Sequence, residues 1–203
     1  MEMFTKDETY LPGTEKTNTR YHLCKLENPI FELSSAFEHF DLKGDEFNIS
    51  TILKKRIYMF ILAESKLSLN DAAVIAAYCV DYGEKYNVHP YLIVSIIKTE
   101  SNFVNKIINH KNCFGLAQVR PFDNGKNDVW LEELKQKGII KRAKDLLSEG
   151  ENIAACAYIL SKYRKIYPSP TETLSRYSGK EINLPYCERV LENLSKFERF
   201  NNA

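Results

Sequence analysis

No apolar run in the sequence approaches the ~18 residues a membrane span needs. The longest, "IYMFILA" at 57–63, is too short and reads as part of a core helix. Charge of one sign is also missing: the formal net charge is +1, without the basic excess that marks a nucleic-acid binder. The opening residues, "MEMFTKDETYLPGTEK", contain no apolar segment of the kind an export signal carries. Five cysteines, Cys24, Cys79, Cys113, Cys156 and Cys187, include no C-x-x-C pair. That spacing argues against a zinc site and favours reduced thiols packed as small apolar groups. Strand signals are nearly absent, and there are no repeats or low-complexity segments.

What is present suits a globular chain. Of 203 residues, 44% are hydrophobic and 12% aromatic, enough to bury a core. Residues 1–48 are polar, irregular and rich in turn formers, and read as an N-terminal extension with some helix around 29–40. Residues 49–203 read as one mainly-α domain. Ser50 is expected to cap a helix over 50–64, with Leu53, Ile57, Phe60 and Ile61 on one stripe. Ser68 or Asn70 caps the next, to about Tyr86. Pro90 suits the first turn of a third helix, which runs to about Glu100. Residues 102–128 read as loop, with Gly115, Pro121 and Gly125. Two helices are expected between Asp128 and Leu147, then a turn over 148–151. Ile153, Ala157 and Leu160 mark a helix that stops before "YPSP" at 167–170. A short helix from Thr171 ends near Gly179. Pro185 opens the last, with Cys187, Val190, Leu191 and Leu194 inward. His89 and His110, both in turns, are expected to be solvated.

One residue contradicts this pattern. Ile93, Ile96, Ile97 and Glu100 fall at i, i+3, i+4 and i+7, so a carboxylate shares a face with three core residues. Apolar neighbours disfavour its charged form. So do the partial negative charges of the last helix carbonyls. A carboxyl kept protonated to unusually high pH is a general acid, a pattern used in sugar cleavage.

From Glu100 onward the sequence resembles the lytic transglycosylases of the soluble, lysozyme-like (SLT) type. "ESNF" at 100–103 and "GLAQ" at 115–118 stand where that family has E-S-x-F and G-L-M-Q, with Gln118 eighteen positions after Glu100. "SEGENIAACAYIL" at 148–160, "RYSG" at 176–179 and Tyr186 at the start of the last helix follow in family order. The resemblance covers roughly residues 70–198. It implies a lysozyme-like transglycosylase globule, no cofactor or metal, and peptidoglycan glycan strands as substrate. The family's catalytic glutamate falls on Glu100 and its sugar-contacting glutamine on Gln118. Its substrate-binding serine falls on Asn109, and the tyrosine near the catalytic carboxyl on Tyr177. Ser101, Asn152 and Tyr186 complete the candidate substrate-binding set, with Asn152 expected to bond loop backbone around the site. Ala117, Arg120 and Ser178 stand where the family has Met, Met and Asn, and Gly179 comes one position early. These departures bear on subsite preference more than on the reaction.

The implied reaction cuts the bond from N-acetylmuramic acid to N-acetylglucosamine and leaves a 1,6-anhydro end. A hydrolytic muramidase of goose-type lysozyme character is the alternative if Asp123 or Asp128 faces the cleft. A catalytically idle wall-binding or virion-structural domain is another. The site of action is the bacterial wall or periplasm. Without an export signal, delivery is expected as a bacteriophage lysis or virion protein (an endolysin, for example) or by a specialised route. A phage-particle or secretion-system partner would then engage residues 1–48.

Overall fold

The structure is a computed structural model, and it describes residues 46–122 and 130–202. The expectations for residues 1–45, including helix around 29–40 and the state of Cys24, lie outside the described residues. So do Asp123, Gly125 and Asp128. The described chain is mainly α, as expected, with seven α-helices and one 3-10 helix and no strand among the described residues.

Helix α1, Glu46–Glu64, begins before Ser50, so Ser50 lies inside the helix rather than capping it. No Pro or Gly in 46–49 stops the helix from propagating towards the N-terminus. Its stripe of Leu53, Ile57, Phe60 and Ile61 is buried as expected, packed against α2, Leu69–Tyr86. Ser68 caps α2: its Oγ accepts from Asp71 N at 3.1 Å, satisfying one of the orphan donors of the first turn. Asn87, at φ 54, ends α2 in the left-handed region.

Helix α3, Pro90–Ser101, has Pro90 in its first turn. His89 is not solvated but half-buried, and its Nδ1 accepts from Tyr91 N at 3.2 Å. Burial lowers its pKa to about 4, so the ring is neutral and able to accept. Eight of the 12 residues of α3 are buried. It packs on α7, Leu184–Asn202, and on α2. Asn102 (φ 50) and Phe103 (φ 63) are both left-handed and turn the chain sharply off α3. Phe103 is buried, which anchors that turn.

The loop that follows has only isolated bridges, Ile108 with Phe114 and Phe114 with Val119. Of the two helices expected before Leu147, one is α-helical, α4 (Leu131–Gln136). The other, Ala143–Leu147, is 3-10. Helix α5 runs Glu149–Ile166, so the expected turn over 148–151 reduces to Ser148. Glu149 and Glu151 in its first turn place carboxylates at the positive end of the helix dipole, which favours the earlier start. Helix α6, Pro170–Tyr177, precedes α7. α5 packs on α2 and α6 and also touches α3.

Candidate active site

The last turn of α3 carries Glu100 into a cavity of about 470 Å³. Its position follows from the helix: the Ile93, Ile96 and Ile97 face is fully buried, and Glu100 is the next residue on that face. Burial raises its pKa to about 7, against opposing effects from the nearby Tyr186 hydroxyl and the positive charge of Arg189. Near neutral pH both protonation states are therefore populated.

Gln118 comes to the same cavity from the loop. Its backbone is left-handed at φ 47, and its Nε2 donates to Gly115 O at 2.8 Å. Asn152 holds this loop in place. Fully buried, it accepts from Ala117 N through Oδ1 at 2.8 Å. Its Nδ2 donates to Phe114 O at 2.7 Å and to Leu146 O at 2.8 Å. Every bond is to main chain, so Asn152 acts as a clamp between α5, the 3-10 helix and the Gln118 loop. Gly115 fits under the clamp only because it lacks a side chain. At φ +68, a Cβ there would stand 2.4 Å from Leu146 O and 2.5 Å from Asn152 Nδ2.

Tyr177, at the end of α6, lines the cavity and donates its hydroxyl to Ala117 O at 2.8 Å. Burial raises its pKa well above the ordinary tyrosine value, with Cys156, Tyr186 and Glu100 adding to the effect. Tyr186, in the first turn of α7, is buried behind Glu100. Its hydroxyl is close enough to stabilise the Glu100 carboxylate, yet it makes no well-formed hydrogen bond among the described residues. Its pKa is likewise pushed up, first by burial and then by Glu100. Both tyrosines thus remain hydroxyl donors across the working pH range.

The structure brings Glu100, Gln118 and Tyr177 to one cavity, with Tyr186 behind the carboxyl. It does not bring Ser101 or Asn109 there. Ser101 is buried and its Oγ turns back to Ile97 O at 3.2 Å. Asn109 Oδ1 accepts from Lys111 N at 2.8 Å and Cys113 N at 3.1 Å, which shapes its own loop. Several lining residues were not singled out from the sequence: Cys113, Trp130, Ile159, Tyr163, Arg176 and Lys180. Ile159 and Tyr163 stand at i, i+4 on α5, a spacing equally suited to core, so nothing in the sequence set them apart. The second lining carboxyl among the described residues, Glu181, is 81% exposed and paired with Arg176 at 3.4 Å.

A family model described as "Transglycosylase SLT domain" matches residues 77–183, just over half of the chain. The matched span contains Glu100, Gln118, Asn152 and Tyr177, and ends just before Tyr186. No curated protein and no solved structure matches the chain.

Proposed function

The chain belongs to the transglycosylase SLT domain family, so its activity is transglycosylase-type cleavage of peptidoglycan; on that premise we propose that Glu100 alone supplies the acid and base for cutting the bond from N-acetylmuramic acid to N-acetylglucosamine. The observation that carries this reading is a carboxyl at the end of α3 whose pKa is raised to about 7 by burial. Catalysis by proton transfer is most efficient when the pKa of the group lies near the working pH. Protonated Glu100 donates to the glycosidic oxygen as the bond to the anomeric carbon breaks. The resulting carboxylate then accepts the proton of the muramic C6 hydroxyl as that oxygen closes on C1. The product is a 1,6-anhydro ring, and Glu100 ends protonated again.

Because the attacking oxygen belongs to the sugar already bound, the ring closure is effectively unimolecular, an advantage of up to ~7–11 kcal/mol when geometry is right. An inverting hydrolase instead needs a second carboxylate to activate water. The other described carboxyl at the cavity, Glu181, is exposed and held by Arg176, which disfavours that role. Gln118 and the Tyr177 region flank the carboxyl and hold the muramic ring so that C6 faces C1. Glu100→Gln tests the assignment. It keeps the shape and removes the proton, so turnover of purified cell wall should fall by ~10²–10⁴-fold. Activity within about tenfold of wild type would refute the role.

A further inference from the structure

The cavity holds more positive charge than the reaction uses. Among the described residues, Lys111, Arg120, Arg176 and Lys180 line it, against two carboxyls, Glu100 and Glu181. The chain as a whole carries a formal charge of only +1, so this is a local concentration. Of the two carboxyls, Glu100 is substantially protonated near neutral pH. Glu181 is 81% exposed and reaches Arg176 only at 3.4 Å. Among the described lining residues the balance is therefore positive.

The two guanidinium groups are held by the fold. Arg120 Nε donates to Phe122 O at 2.9 Å. Its Nη1 lies 3.9 Å from where a Cβ on Gly179 would stand, so the group spans from the loop to the turn after α6. Gly179, at φ +80, presents no side chain there. Arg176 lies over the Tyr167 ring, its guanidinium carbon 4.9 Å from the centroid. Its Nε is buried and makes no hydrogen bond among the described residues. Arg176 therefore offers a ligand its terminal nitrogens, one of which lies 3.4 Å from Glu181. Lys180 follows on the same turn, exposed to solvent at the rim of the cavity. Guanidinium groups match the planar, two-oxygen geometry of a carboxylate, and an ammonium adds a point charge.

We propose that Arg120, Arg176 and Lys180 form a carboxylate-binding subsite for the acid group carried by the muramic unit of the glycan. Two sources present that chemistry: the lactyl carboxylate of a peptide-free muramic sugar, and the carboxylates of its stem peptide. A neutral glycan of N-acetylglucosamine alone offers neither. This inference rests on the wall-glycan reading above and adds a recognition element to it. It makes the cleft selective for acidic strands, with the sugar itself resting against Phe122, Trp130 and Tyr163.

The test is titration calorimetry on the full chain with the disaccharide N-acetylglucosaminyl-N-acetylmuramic acid. This probe lacks the bond proposed to be cut, so binding is read without turnover. It is used peptide-free, with its stem peptide, and in each form with the carboxyls converted to amides. Amidation should weaken binding to the wild type at least ~10-fold, the scale of lost charge-assisted hydrogen bonds. The penalty should vanish in the Arg120→Met, Lys180→Gln double variant. Lys180→Gln alone, at an exposed turn position, should show a partial loss even if the double variant folds poorly. A full penalty with the peptide-free disaccharide assigns the lactyl carboxylate, and a penalty confined to the peptide form assigns the stem. Wild-type affinity indifferent to amidation would overturn the proposal, as would a single Lys180→Gln variant and a folded double variant that both keep the full penalty. Failure to cleave cell wall would count against the cleavage reading and leave these titrations readable.

Discussion

Replacing Glu100 by Gln should destroy turnover and, at the right pH, stabilise the protein. In the folded chain burial raises the Glu100 pKa from 4.5 to about 7. Each unit corresponds to ~1.36 kcal/mol of differential stability between protonation states, so the shift amounts to about 3 kcal/mol. The sign follows from which state holds the proton. Well below pH 4.5 the carboxyl is protonated in both folded and unfolded chains, and its ionisation contributes nothing. Between pH 4.5 and 7 the unfolded chain releases the proton while the folded chain retains it, so stability falls as pH rises. Above about pH 7 the loss is complete. Gln cannot ionise and avoids the loss. Urea denaturation should therefore show the variant equal to wild type near pH 4 and more stable by about 3 kcal/mol at pH 8. The same preparation should have lost ~10²–10⁴-fold in activity. Equal effects on stability at both pH values, or a variant less stable than wild type at pH 8, would refute the claim that Glu100 is held in an unfavourable, proton-retaining environment.

Other parts of the structure give outcomes of their own. Gly115→Ala forces a Cβ to within 2.4 Å of Leu146 O at φ +68; a left-handed Ala costs ~1–2 kcal/mol before the overlap is counted, so the total should be about 3 kcal/mol or more, seen as a lowered urea midpoint, and a neutral substitution would mean the Asn152 clamp is loose. A chain beginning at Asp45 keeps all of α1 and should fold and cleave cell wall, whereas one beginning at Leu69 uncovers the surface under Leu53, Ile57, Phe60 and Ile61 and should be insoluble; an active chain from Leu69 would remove α1 from the domain. Thiol titration without reductant should count five groups in the denatured protein. In the native protein, among the described cysteines, only Cys113 should react readily, since Cys79, Cys156 and Cys187 are buried, and a denatured count of one would reveal two disulfides.

Short-range chemistry made much of this fold legible. Ser68 as a cap, Pro90 as a helix start and the α1 stripe depend on neighbours within a few residues, and each is where the spacing places it. Glu100 was legible for the same reason, because helical periodicity alone puts it on a core face. Features set by tertiary contacts were not. The start of α5 at Glu149 and the burial of His89 as a cap depend on how helices meet. Asn109 occupies the position of a substrate-binding serine in the resembling family, yet an Asn in a tight loop satisfies its own backbone first, as its bonds to Lys111 N and Cys113 N show. The far wall of the cavity was hidden altogether. Trp130, Tyr163 and the turn carrying Arg176 and Lys180 come from separate segments, and only their convergence in space gives them a common face.

The central claim is that one carboxyl suffices because the substrate supplies its own nucleophile, and the product records this directly. Purified cell wall should be digested in heavy-oxygen water and the released muropeptides analysed by mass spectrometry. The account predicts fragments one water lighter than hydrolysis products, with no reducing ends and no solvent oxygen at C1. Fragments with reducing ends that carry the heavy oxygen would contradict it, since water and not the muramic C6 hydroxyl would then have attacked.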